Sequence, residues 1–370
     1  MKLAFGLMRL PTINGDDGQI DLEKFKKMVD CFIEAGGTYF DTAYVYHKGE
    51  SENFFRKAIA ERYERDKYTI TDKMPIFMVN EKEDLERIFN DQLKKTGVDY
   101  FDYYWLHALS NERMETVDKV DAFGFISQKK NEGKIRHIGF SFHDSAEVLD
   151  KILTDHPEVE YVQLQINYID WLDDEHVQSR LCYEVCEKHN KKVMVMEPVK
   201  GGSLVNVPDK ALDIMKAYDK DASSASWAIR WVGSLDNVER VLSGMSTLEQ
   251  VQDNVSYMAD FKPLNGQENK IIDEVANIIK NNIAIPCTGC RYCVQENTCP
   301  ASICIPDYFA IYNDMKSFNV KNGSNTDRYK KLNETYGKAS ECLECGMCET
   351  HCPQHLPIRE YLKQVAKSLE

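Results

Sequence analysis

The sequence predicts an α/β chain: a (β/α)8 TIM barrel followed by a small, mostly helical domain. Two observations carry this. Over roughly the first 260 residues, eight short β-rich runs alternate with longer amphipathic helical patterns, as a parallel barrel requires. Beyond them, nine of the 12 cysteines fall between Cys287 and Cys352, which marks a separate cysteine-rich domain. A doubly wound open sheet is the competing architecture, but no Gly-x-Gly-x-x-Gly turn follows the first strand.

The strand candidates, in order, are KLAFG (2–6), TYFDT (38–42), YTITD (68–72), YFDYYWLH (100–107), RHIGFS (136–141), YVQLQIN (161–167), KVMVMEP (192–198) and ERVLSGM (239–245). The helical pattern is clearest after the first run. There Leu22, Phe25, Met28, Val29, Phe32 and Ile33 recur at helix spacing, with Asp21 as N-cap and Gly36–Gly37 as the stop. A polar, helix-patterned stretch from Asn265 to Asn282 leads to Pro286, just before the first clustered cysteine. The expected division is therefore a barrel over 1–263, a connecting helix over 264–285 and a cysteine domain over 286–370.

Composition removes several classes. With 46 Lys and Arg against 60 Asp and Glu, the formal charge is −14, which argues against general nucleic-acid binding. A charged share of 29% beside 43% hydrophobic residues excludes global disorder. No apolar run reaches the length of a membrane span, and MKLAFGLMRLPT lacks a small-residue cleavage site, so it reads as a first strand and not as a signal peptide. A cytoplasmic chain with this many cysteines points to metal or catalysis before disulfides.

In a barrel, chemistry sits where the strands run out at their carboxyl ends. Those positions hold Asp41, Lys73, His107, Ser141, Gln165 and Glu197, with Tyr46 in the loop above Asp41. Taken singly, each has a plain structural reading: Asp41 as a loop cap, His107 as a bonded barrel-top residue, Lys73 as the partner of any carboxylate. As a set in register they exceed what packing needs. They suggest proton transfer to a carbonyl. A tyrosine with its ordinary pKa near ~10 is a weak acid; Lys73 would stabilise the tyrosinate and lower that value, Asp41 would hold Lys73, and His107 would orient a carbonyl oxygen.

FDTAYVY (40–46), GESE (49–52), TDK (71–73), WLH (105–107), GFS (139–141) and QLQINY (163–168), in this order on these strands, resemble the aldo/keto reductases. The resemblance implies a catalytic tetrad of Asp41, Tyr46, Lys73 and His107. It also implies NADP or NAD as cofactor, with Ser141 and Gln165 at the nicotinamide and Gly6 and Asn254 among the cofactor contacts. Glu197 either binds cofactor or shapes the substrate pocket. Phe142 stands where the family has Asn. VLSGMSTLEQVQDN (241–254) resembles the cofactor-adenosine region, where Gly244 and Gln250 replace residues that are basic in many members. Their loss would weaken a 2′-phosphate clamp, and NAD versus NADP stays open. The chain begins directly at strand 1, without the N-terminal hairpin usual in the family.

The cysteines give the most specific motif. Cys342, Cys345, Cys348 and Cys352-Pro353 form C-x₂-C-x₂-C-x₃-C-P; Cys287, Cys290, Cys293 and Cys299-Pro300 repeat it with x₅ before the last cysteine. Such spacing wraps [4Fe–4S] cubanes, and in two-cluster ferredoxins the distal cysteine serves the other cluster. By that rule Cys287, Cys290, Cys293 and Cys352 hold one cluster, and Cys342, Cys345, Cys348 and Cys299 hold the second. Two zinc ions are the competing reading, for which the third close-spaced cysteine would be surplus. Cys304 reads as a packed thiol or as an alternative to Cys299. Cys31, Cys182 and Cys186 read as core residues. The span from Pro306 to Ser340 reads as helix, polar loop (KNGSNTD) and helix, and resembles the helical type of ferredoxin-like domain found on some bacterial and archaeal aldo/keto reductases.

Nicotinamide moves two electrons as hydride and each cluster moves one; no flavin motif is visible, and a flavin is neither predicted nor ruled out. Three functions compete. The first is a carbonyl reductase or alcohol dehydrogenase acting on a small carbonyl or alcohol substrate, with clusters that exchange electrons with a redox partner protein or with a further cofactor. The second is an electron-transfer subunit with a silent barrel. The third is an ordinary reductase with structural clusters. The complete tetrad favours the first and third.

Overall fold

The computed structural model describes residues 1–172, 174, 177–281, 283–295, 299–317 and 323–370. Each of the eight expected runs contains a strand. The strands in chain order are β1 (Leu3–Gly6), β2 (Thr12–Ile13), β3 (Asp16–Ile20), β4 (Tyr39–Asp41), β5 (Thr69–Met74), β6 (Phe101–Leu109), β7 (Ile135–Phe142), β8 (Tyr161–Gln165), β9 (Lys192–Met196) and β10 (Val238–Gly244). All but β2 and β3 form a closed barrel in the order β1-β10-β9-β8-β7-β6-β5-β4. β1 closes it by pairing in parallel with both β10 and β4, so that Gly6 lies opposite Gly244 on one side and Asp41 on the other. This closure excludes the open sheet. The barrel is a packed core: Tyr39, Tyr103, Trp105, Met194 and Leu242 fill it, with Tyr161 against them, as aromatic and branched layers do in this architecture.

Local signals act as the sequence suggests. The Asp21 side chain accepts from the Lys24 amide at the start of the helix Leu22–Glu34, and the chain leaves that helix through Gly36 at φ 86°, the left-handed region that glycine tolerates.

Sequence reasoning missed the hairpin of β2 and β3. Its two-residue turn is Asn14–Gly15, with φ of 54° and 76°, a residue pair suited to a tight hairpin. The hairpin holds the loop that carries the candidate tyrosine: His47 Nε2 accepts from the Leu10 amide at 3.1 Å, and His47 Nδ1 donates to the Asp17 carbonyl at 3.0 Å.

The chain divides into two compact units. The first holds the barrel; the second comprises chiefly Val199–Trp227 and Asn265–Glu370. Val199–Trp227, which the sequence places inside the barrel, therefore groups with the cysteine-rich half. The reason is packing within that unit. The helix Asp209–Tyr218 packs on the helix Gly266–Lys280, and Asn265 Nδ2 donates to the Tyr218 hydroxyl at 3.0 Å. Gly201, at φ 64°, lies so close to Thr288 that an added Cβ would come within 1.4 Å of its carbonyl oxygen.

Gly201→Ala should therefore cost more than about 2 kcal/mol in the second unit, combining left-handed strain with a backbone clash. Gly202→Ala, also at positive φ but in open space, should cost clearly less. Urea melts of the two variants check this; equal losses would refute the contact.

The cysteine-rich half is mainly helical, with helices Ile305–Ser317, Gly323–Leu332 and Ile358–Leu369. Tyr308, Phe309, Tyr329, Ile358, Leu362 and Val365 form its core with Cys293, Cys304, Cys348 and Cys352. The expected polar loop KNGSNTD becomes helical from Gly323 onward; its Lys321 and Asn322 lie outside the described residues. Small polar residues suit a helix N-terminal turn as well as a loop, so composition did not separate the two. Among the described residues, no helix is long and apolar enough to cross a membrane.

Candidate functional site

Asp41 ends β4, Lys73 lies near the end of β5 and His107 near the end of β6, so three neighbouring strands deliver these side chains to one rim of the barrel. Lys73, fully buried, is the hub. Its Nζ donates to Asp41 Oδ1 at 2.5 Å, to the Thr42 carbonyl at 2.7 Å and to the Tyr46 hydroxyl at 3.3 Å. The rings of Tyr46 and His107 meet edge to face with centroids 6.0 Å apart. The four expected catalytic residues thus stand together.

The electrostatics depart from the sequence expectation in one respect. Lys73 does reach Tyr46, yet the Tyr46 hydroxyl is pushed well above its ordinary pKa by burial, with the Asp41 and Asp72 carboxylates adding to the effect. Burial thus favours the protonated, donating form of Tyr46. Burial likewise raises the Asp41 carboxyl, against the opposing pull of Lys73. His107 is driven well below its ordinary value by burial, then by the Lys73, Arg113 and His143 charges. It is a neutral imidazole.

That shift has a consequence for stability. As pH falls through about 6.5, an unfolded His107 takes a proton that the folded one refuses, so its contribution to stability declines in acid. Urea denaturation at pH 7.5 and 5.5 should show a smaller acid loss in His107→Gln than in the parent chain. An equal loss in both would overturn the assignment.

The expected cofactor residues divide into two groups. Gln165 Nε2 donates to Asp170 Oδ2 at 3.0 Å, while its Oε1 is buried without a hydrogen-bond partner. An orphaned acceptor there fits the N–H of a nicotinamide carboxamide. Ser141 Oγ accepts from the Ala108 amide at 2.7 Å, which leaves its own hydroxyl hydrogen to donate. Glu197, just past β9 at φ 56°, gives its carbonyl to Asn167 Nδ2 at 3.4 Å. On the far side of β1, Gln250 Oε1 accepts from the Ser246 amide at 2.7 Å, and Asn254 Nδ2 donates to Ser243 Oγ at 3.1 Å. The Arg9 side chain lies over Gly244, 3.2 Å from where a Cβ would stand. A cation from another part of the chain is thus close to the position where the sequence lacks one.

Sequence reasoning missed Gln163, whose Nε2 donates to Asp41 Oδ2 at 3.2 Å, and Gln92, whose Nε2 donates to the Lys73 carbonyl at 3.0 Å. Period-two alternation could have found Gln163, two residues before Gln165 on one strand. It also missed Phe77, whose ring lies 5.6 Å from that of His107.

In the second unit the cysteines surround two separate pockets. One is lined by Cys287, Cys290, Cys293 and Cys352, with Thr288, Arg291, Phe309 and Gln354 among their neighbours. The other is lined by Cys299, Cys342, Cys345 and Cys348, with Leu343 and Arg359. Cys304 lines neither; burial raises its thiol to about 11. Burial and the nearby Glu349, Cys342, Cys299 and Cys345 raise Cys348 to about 12, so its thiolate needs a bound cation to stay ionised. Among the described residues no three His, Cys, Asp or Glu side chains are arranged to hold a single metal ion. Four thiol donors around each pocket fit a larger metal–sulfur group.

Residues 2–277 match the profile of the aldo/keto reductase family, and the chain belongs to that family. Residues 286–356 match a 4Fe-4S dicluster domain. An uncharacterized oxidoreductase of Schizosaccharomyces pombe is 24% identical over 262 residues, covering 69% of this chain and 80% of its own. The NADH-specific methylglyoxal reductase of Escherichia coli is 22% identical over 290 residues, covering 66% and 85%. The crystal structure of an aldo-keto reductase from Klebsiella pneumoniae in complex with NADPH superposes with a TM-score of 0.59 at 20% identity, covering 74% of this chain and 90% of that one.

Proposed function

We propose that the chain is a cytoplasmic, nicotinamide-dependent carbonyl reductase or alcohol dehydrogenase that also carries two [4Fe–4S] clusters able to exchange electrons with a partner protein. The observation that carries the barrel reading is the placement of Lys73 Nζ, in hydrogen-bond reach of Asp41 and Tyr46 together. Bound nicotinamide supplies or accepts the hydride. The protein's own part is the proton. Tyr46 donates its hydroxyl hydrogen to the carbonyl oxygen, neutral His107 orients that oxygen, and Lys73 donates to the tyrosinate that remains. Asp41 balances the Lys73 charge throughout. The similar proteins include both an NADH-specific enzyme and an NADPH complex, so they support a nicotinamide without choosing one; Arg9 beside Gly244 favours a 2′-phosphate.

Cys287, Cys290, Cys293 and Cys352 would hold one cluster, and Cys299, Cys342, Cys345 and Cys348 the other. Bound there, each would supply one-electron chemistry. A purely structural role is the second reading, favoured by the burial of Cys293, Cys348 and Cys352 in the apolar core. Anaerobically prepared protein, assayed for iron, sulfide and flavin and then for NADH- and NADPH-dependent reduction of a panel of aldehydes and ketones, tests the whole proposal. Turnover with one nicotinamide supports the barrel reading; a panel without turnover argues for the silent barrel. Cys345→Ser separates the cluster roles. If the clusters carry electrons, it slows reaction with a one-electron acceptor and spares carbonyl reduction. If they are structural, every activity falls with the amount of folded protein.

A further inference from the structure

The two cysteine pockets differ in their walls. Apart from its cysteines, the pocket of Cys299, Cys342, Cys345 and Cys348 has, among the described residues, one polar side chain, Arg359, and that guanidinium is held by Glu349 Oε2 at 2.8 and 3.0 Å. The pocket of Cys287, Cys290, Cys293 and Cys352 includes Thr288 and Gln354, which are 1% and 3% exposed. Thr288 Oγ1 and Gln354 Nε2 are both buried with no hydrogen-bond partner. Two orphaned donors lining one pocket are costly unless something in the pocket accepts from them.

The orientation of Gln354 is imposed from a distance in sequence. Lys200, 1% exposed, places its Nζ 3.4 Å from Gln354 Oε1. An ammonium can only donate, so the amide oxygen must face Lys200 and the NH₂ must face away from it. The neighbouring Gly201 is pressed on the Thr288 carbonyl, so one loop braces both donors. The Gly289 amide already donates to Cys287 Sγ at 3.4 Å, which shows sulfur as the acceptor in this pocket.

We propose that Thr288 and Gln354, the latter oriented by Lys200, are donors to the sulfur atoms of the iron–sulfur group held by Cys287, Cys290, Cys293 and Cys352, and that they selectively raise its reduction potential. Donors and a buried positive charge stabilise the added electron, because reduction increases the negative charge on the sulfurs. Lys200 is a positioning residue that also contributes its charge. This inference rests on the proposed iron–sulfur reading of the pocket.

The test is an anaerobic dithionite titration of the full-length chain, followed by electron paramagnetic resonance, with iron and sulfide measured on each sample. Thr288→Val and Gln354→Leu should each keep the iron content of the parent. Each should lower one of two midpoint potentials, with a combined change of about tenfold in the one-electron equilibrium constant, or 59 mV. The other potential should stay unchanged. Lys200→Gln should lower the same potential, and Lys200→Arg should restore most of it. A structural role alone would lower the melting temperature without moving either potential, and that result overturns the proposal. So does an equal shift of both potentials. Should the near-isosteric Thr288→Val be the only variant that folds, an unchanged potential in it is sufficient to overturn the proposal. A parent protein with zinc and no acid-labile sulfide removes the iron–sulfur reading itself, a failure distinct from clusters that are present but indifferent to these side chains.

Discussion

Tyr46→Phe should reduce carbonyl turnover by about 10²–10⁴-fold, the usual worth of a positioned general acid, while nicotinamide affinity stays within twofold or so. The hydroxyl is 3.3 Å from Lys73 Nζ and beside the His107 ring, and its removal takes away the proton without emptying the site. Lys73→Met should act in the same direction, since the tyrosinate would lose its donor. It should also cost stability where Tyr46→Phe does not. Asp41 is buried with Lys73 as its cation, and breaking a buried pair from one side costs about 3–5 kcal/mol. Steady-state kinetics with fluorescence titration of the reduced nicotinamide, together with urea melts, separate the two effects. Parent-like turnover in Tyr46→Phe would move the acid role to another residue.

The catalytic set could be read from sequence because barrel architecture is regular. A strand that ends at Asp41 and one that runs through Lys73 present their ends to the same rim whatever the intervening helices do. Side chains that act on the set from behind were not legible. Gln163 supports Asp41 from 122 residues away, and Asp72 affects Tyr46 only because its carboxyl is buried near it; neither relation leaves a spacing in the chain. The spacing likewise shows a lysine beside a tyrosine but not the burial that raises the Tyr46 hydroxyl. Val199–Trp227 illustrates the limit for domains. Helical patterning continues through it and the family match spans it, while the packing of Gly201 on Thr288 and of Asp209–Tyr218 on Gly266–Lys280 groups it with the second compact unit.

The cysteine spacing carried more information than the helices around it, and its sharpest consequence concerns connectivity. Cys352 follows Cys348 by four residues, yet the two line different pockets. Anaerobic protein should hold about eight iron and eight sulfide per chain, as two cubanes require. Cys352→Ala should then lose about half of both, and the lost resonance signal should be the one that Cys287→Ala loses. Cys299→Ala should instead match Cys345→Ala, although Cys299 lies in the first motif. A double variant within one pocket, Cys287→Ala with Cys352→Ala, should lose little more than either single change. A double variant across the pockets, Cys352→Ala with Cys345→Ala, should lose nearly all the iron. Sequential ligation predicts the opposite pairing, with Cys352→Ala behaving like Cys345→Ala. The chain's own geometry favours the crossed arrangement, because Cys293 lines one pocket with Cys287, Cys290 and Cys352, while Cys348 lines the other with Cys299, Cys342 and Cys345.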